Sequence, residues 1–118
     1  MKMRVAVIGS RDYQHLDVVK MYVNDLAEGV IVVSGGARGV DTAAHEAAKA
    51  RGLTSKIYLA DWSKGKGAGF ARNSEIVKNS DLVVAFWDGT SKGTLDTVMK
   101  AKVAGVPVIV FGPDGLPA

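Results

Sequence analysis

Five short apolar, β-branched runs recur along the chain, at residues 4–9, 30–33, 56–60, 82–87 and 107–111, with segments of helical periodicity between them. Runs this short, without polar alternation, read as strands buried on both faces. Leu16, Val19, Val23 and Leu26 recur at helical spacing and predict a first helix. Residues 42–49 form a second helix with an almost all-alanine inner face, capped by Gly52. A weaker third helix covers 71–79. A fourth covers 94–104, with Leu95, Val98, Met99 and Lys102 along one side and Gly105 at its end. Alternating strands and helices predict an α/β fold: one Rossmann-like three-layer domain around a parallel five-stranded sheet. Right-handed crossovers place every strand's C-terminal end on one edge. The expected strand order is 3-2-1-4-5, with the switch point, and so the ligand site, between strands one and four.

At 118 residues the chain is expected to be a single domain spanning 1–118, with 112–118 as a short tail. The absence of cysteine excludes disulfides and thiolate metal sites. No paired-histidine spacing or calcium loop is present, so no intrinsic metal is expected. The apolar runs fall far short of the roughly 20 residues a membrane helix needs. The chain reaches a strand at once, without a signal-peptide pattern, and a cytoplasmic location is expected.

The loops predicted at the ligand edge hold most of the chemistry. Ser34-Gly35-Gly36-Ala37-Arg38-Gly39-Val40-Asp41 leads from strand two into helix two. Such a turn leaves amides at a helix N-terminus, where the dipole favours negative charge. Arg38 can add bidentate phosphate contacts. Asp41 is expected near the helix start, stabilised by the dipole, holding Arg38, or accepting from a ribose hydroxyl. His45, one turn on, reads as structural. Gly9-Ser10-Arg11-Asp12 closes strand one without the G-x-G-x-x-G of ordinary dinucleotide-binding domains. Asp88-Gly89-Thr90-Ser91-Lys92-Gly93-Thr94 makes a second candidate phosphate cradle, though not a Walker A loop. Asp61, Arg72 and Asn73 complete the candidate binding set. Trp62 and Trp87 flank the same edge, where either could stack on a base or simply pack. The formal charge is only +3, but Arg11, Arg38, Lys64, Lys66, Arg72 and Lys92 all fall in loops or at helix starts. A phosphorylated ligand explains that concentration. Solvated surface charge is the plain alternative.

Residues 34–41 with Ala44-His45 resemble the signature of the DNA-processing protein A Rossmann core. Ala60-Asp61-Trp62, Gly67-Ala68-Gly69 and Arg72-Asn73 resemble the small bacterial and phage proteins of the YspA/YpsA-related (DUF2493-like) SLOG family. The resemblance runs from about Arg4 to Phe111. It implies a module that binds a nucleotide or nucleotide derivative, often as a sensor, with no other cofactor and with self-association as a homodimer or larger. The superfamily also contains the Lonely Guy phosphoribohydrolases. Arg72 through Asp81 is similar to their arginine-containing segment, which implies a second reading, nucleoside monophosphate N-glycosidic hydrolysis, with Arg72 and an acid such as Asp96, Glu75 or Asp88 as the catalytic candidates. Their glutamate position is Thr97 here, which argues against that reading. Nucleic-acid binding, from the DNA-processing resemblance, is the third reading. No dense basic stripe supports it.

Overall fold

The computed structural model describes residues 2–118. At its centre lies β1 (Arg4–Gly9), whose side chains alternate between two helical layers. Val5 and Val7 face one layer and Ala6 and Ile8 the other. None of the four is more than 4% exposed. β1 pairs in parallel with β2 (Ile31–Ser34) and β4 (Leu82–Phe86). β2 pairs with β3 (Thr54–Ile57), and β4 with β5 (Val108–Phe111). The order is β3-β2-β1-β4-β5, as expected.

Helices α1 (Leu16–Asn24) and α2 (Val40–Ala50) cover one face of the sheet. Val19, Val23, Val40, Ala44 and Ala48 pack there on Val5, Val7, Val32 and Phe86. Helices α3 (Ala68–Lys78) and α4 (Lys92–Ala104) cover the other face, where Ile76, Val77, Val98 and Ala101 meet Ala6, Ile8, Val83 and Ala85. The switch in crossover direction between β1 and β4 opens a crevice at the C-terminal edge.

The structure differs from the sequence expectation in several places. The edge strands are not buried: Thr54, Lys56 and Ile57 of β3 are exposed, and Ile109 of β5 is 39% exposed. The third strand also lies earlier than the apolar run 56–60. β2 ends at Ser34, which pairs with Ile57, and only the Tyr58 amide reaches back to the Ser34 carbonyl at 2.9 Å. Leu59 has no strand to pair with and is left 76% exposed. Lastly, α2, α3 and α4 each begin two or three residues earlier than their periodicity implies. At α4 the reason is the Ser91 hydroxyl, which accepts the Thr94 amide at 3.3 Å and starts the helix at Lys92. Within the stretch read as a loop, Trp62–Lys64 forms a short 3-10 turn capped by Asp61. Leu95 and Met99, expected along the packed side of α4, are exposed, and Thr94, Thr97, Val98 and Ala101 are buried instead.

Candidate functional site

A cleft of about 420 Å³ opens between the ends of β1 and β4. Its organising residue is Asp41, which is only 4% exposed. The first turn of α2 carries this carboxylate back under two loops. It accepts the Gly35 amide at 2.7 Å and the Gly9 amide at 3.2 Å. Burial pushes the carboxyl up to about 6, against the pull of those two amides and of Arg72. Asp41 does not hold Arg38, as the sequence allowed. Arg38 instead pairs with Asp12 at 3.2 Å on the exposed rim. His45 lies outside the cleft, 2.6 Å from the Ser55 hydroxyl, in the structural role expected of it.

Arg72 enters from the second turn of α3, half-buried. Its Nη1 donates to the Gly35 carbonyl and, at 3.4 Å, to the Tyr58 carbonyl. Its Nε donates to Asn73 Oδ1 at 3.1 Å. Burial lowers the guanidinium from its ordinary value, partly offset by Asp41, and neighbouring Arg11 lowers it further. A Cβ at position 35 would lie 2.6 Å from Arg72 Nη1 and would push the guanidinium off its Gly35 contact. Gly39 is required for two reasons: its φ is +79°, and a Cβ would strike the Arg11 carbonyl. The two cationic loops are thus locked together by backbone contact.

The 88–94 loop behaves differently from the cradle read in the sequence. Asp88 Oδ1 accepts the Thr90 amide at 2.9 Å and the Ser91 amide at 2.8 Å, so these donors are already used. Burial raises the Asp88 carboxyl, but those amides outweigh it, and the net effect is a carboxyl below the ordinary range. Ser10 is buried beneath the loop. Its hydroxyl accepts the Asp88 amide at 3.0 Å and lies 3.3 Å from Thr94 Oγ1. Residues 89–93 also carry a G-x-S-x-G spacing. It is not a hydrolase elbow, because Ser91 caps α4 and neither histidine lines the cleft.

Of the expected binding residues, Gly9, Arg11, Asp41, Arg72 and Asn73 line the cleft from one side. Asp88, Thr90, Ser91, Gly93 and Thr94 line it from the other. Ala37 belongs both to this cleft and to a neighbouring cavity, which Gly35, Gly36 and Arg38 also line. Ser34 is fully buried, and its Oγ is the one buried side-chain oxygen among the described residues without a partner. Gly39, Asp61, Gly89 and Lys92 line neither opening. Asp96 does not line the cleft either. Its carboxylate is held by Asn73 Nδ2 at 3.1 Å and Lys100 Nζ at 2.7 Å. Asn73 Nδ2 also reaches the Gly93 carbonyl at 3.2 Å and so ties α3 to α4. Thr97, at the glutamate position of the phosphoribohydrolase pattern, does line the cleft and donates to the Gly93 carbonyl at 3.2 Å. Sequence reasoning missed Phe70 and Gly69, because helical periodicity began α3 only at residue 71. The glycine pair at 67 and 69 was the available signal.

The fold and its switch-point cleft define a Rossmann-like domain of the SLOG type. Residues 1–64 match the model of the DNA recombination-mediator protein A family. Gene 61 protein of Mycobacterium phage D29 is 38% identical over 92% of this chain and 96% of its own length. The chain belongs to the DNA recombination-mediator protein A family. Among solved structures, DNA processing protein A of Streptococcus pneumoniae superposes with a TM-score of 0.83 at 24% identity. The Helicobacter pylori protein, described for its single-stranded DNA binding mode, gives 0.74 at 26%, and TM1055 gives 0.67 at 24%. Each covers 92% of this chain. This chain spans 50% of the Streptococcus protein, 64% of the Helicobacter protein and 72% of TM1055.

Proposed function

We infer that the cleft binds a nucleotide or nucleotide-derived phosphorylated ligand, as a binding or sensing module. The observation that carries this reading is the convergence of Arg11, Lys66 and Arg72 on one opening at the switch point. Arg11 and Lys66 have no hydrogen-bond or ion-pair partner among the described residues. The nearby carboxylates of Asp41 and Asp88 are engaged by backbone amides. Arg11 and Lys66 are therefore free to donate to an entering anion, among the carboxylates of Asp12, Asp41 and Asp88 that line the same opening. Arg72 is held by carbonyls on one edge and has no partner at Nη2, which suits it to grip a phosphate oxygen.

The test is thermal unfolding with a panel of mononucleotides, dinucleotides and ADP-ribose. A ligand at 100 times its dissociation constant adds about 2.7 kcal/mol, or on the order of 10 °C for a domain of this size. A flat panel overturns the reading. Single-stranded DNA is the second reading, favoured by the Helicobacter relative. Its mark is a steep loss of affinity with salt. Hydrolysis is the weaker enzymatic reading, because the cleft presents Thr97 where a carboxylate is needed and Asp96 is tied down elsewhere.

Self-association belongs to the same proposal. Leu95, Met99 and Val103 form an i, i+4, i+8 stripe on α4, exposed by 41%, 51% and 87%. Light scattering of the purified chain reads its mass directly, and a monomer at micromolar concentration removes this part. Among the described residues no helix is long and apolar enough to cross a membrane.

A further inference from the structure

A second cavity, of about 490 Å³, adjoins the cleft. Arg11, Ala37, Trp62 and Arg72 line both openings, so the two are halves of one groove. Each half alone falls in the range of about 300–1,000 Å³ that holds a small ligand. The second half has its own character. Its outer wall is Leu59, Ala60 and Trp62, and its inner wall is the backbone of Gly35 and Gly36. Leu59 is 76% exposed and Trp62 is 59% exposed. A mononucleotide held in the first cleft does not account for two large apolar side chains held open beside the three arginines of this half. Flat rings do account for them: base-on-aromatic stacking tolerates every base and buries such surface.

The indole is seated. Gly69 on α3 leaves a notch in which a Cβ would lie 3.0 Å from Trp62 Cη2. Asp61 caps the short turn that carries the ring, accepting from the Ser63 amide at 3.2 Å. The guanidinium of Arg72, pinned through Nη1 and Nε, sits at the junction of the two halves. A phosphate on that guanidinium has room for a nucleoside on either side.

We propose that the groove takes two nucleosides joined through phosphate, the linkage lying on Arg72 and Arg11 and one base lying in the second cavity against Trp62 and Leu59. This rests on the nucleotide reading above and narrows its ligand class. The shared chemistry has two sources, a 5′–5′ pyrophosphate-linked dinucleotide or two successive nucleotides of a single strand.

The experiment is titration calorimetry with three probes: AMP, the 3′–5′ dinucleotide pApA, and the 5′–5′ dinucleotide Ap2A. The expected result is that at least one dinucleotide binds about tenfold or more tightly than AMP, and the tighter of the two identifies the source. Ala60→Trp fills the second cavity without touching the first. It should abolish the advantage of the dinucleotide over AMP, both measured on the same variant. Leu59→Glu, at an exposed position, serves the same purpose should Ala60→Trp fail to fold. AMP binding with neither dinucleotide tighter overturns the two-nucleoside proposal and leaves the nucleotide reading standing. So does a dinucleotide advantage that survives both substitutions. Failure of all three probes to bind overturns both.

Discussion

Asp41→Asn isolates the buried carboxylate that joins the β1 and β2 loops. In the folded protein the group titrates at about 6, against an ordinary 3.8, because burial disfavours its charge more than the Gly35 and Gly9 amides and Arg72 favour it. The folded state therefore keeps this proton over a range in which the unfolded chain has released it. Between about pH 4 and pH 6 the folded state binds more protons, so its stability from this group falls as pH rises. At about 1.4 kcal/mol per pH unit, the loss on going from pH 4 to pH 7 is about 2.4 kcal/mol. For a domain of this size that corresponds to on the order of 10 °C in melting temperature. Asparagine does not titrate and lacks this slope. It also offers one acceptor to two amides, which lowers its stability by about 1–3 kcal/mol at every pH. Other titrating groups cancel when the two proteins are compared. Asp81 and Asp88, both held below their ordinary range, act in the opposite sense and lose their contribution as pH falls below about 4. The assay is urea unfolding of both proteins at pH 4, 5, 6 and 7. Parallel stability curves from pH 4 to 7 would refute the reasoning.

Arg11→Ala and Arg72→Ala should each weaken nucleotide binding about tenfold, since both line the cleft and a charged hydrogen bond is worth about 1.5–3 kcal/mol. Only Arg72→Ala should also lower unfolding stability, by about 1–3 kcal/mol, because the Gly35 and Tyr58 carbonyls lose their donor; equal stability of the two variants in urea would contradict this. Asp88→Ala should cost about 1–3 kcal/mol by freeing the Thr90 and Ser91 amides, and an unchanged urea midpoint would show that water replaces the carboxylate without loss. Release of free base from AMP, GMP, CMP and UMP should be slow or absent, because Thr97 cannot supply the carboxylate such chemistry needs. Chromatographic turnover near 1 s⁻¹ would show that another acid, such as Asp88 in the cleft or Asp96 beside it, supplies that carboxylate.

The order of elements and the edge that carries the cleft were legible in the residues themselves. Parallel strands need crossovers, crossovers have one hand, and alternating apolar runs and helical periods leave few ways to wind a sheet. Glycine and cation placement then marked the loops, since backbone freedom and charge are local properties of a sequence. What remained hidden was contact between residues far apart in the chain. Arg72 finds the Gly35 carbonyl 37 residues away, and Asp41 binds a Gly9 amide 32 residues away. No local pattern encodes either partner. The same holds for the 88–94 loop, which looked like an open cradle by composition, whereas its own Asp88 already fills the amides a phosphate would have used. Residues 56–60 looked like a buried strand. Whether they could be one depended on where β2 stopped, and β2 stops at Ser34. Hydrophobic pattern and chirality act along the chain and survive in the sequence. Burial, pairing and the occupancy of hydrogen-bond donors are decided only when distant segments meet.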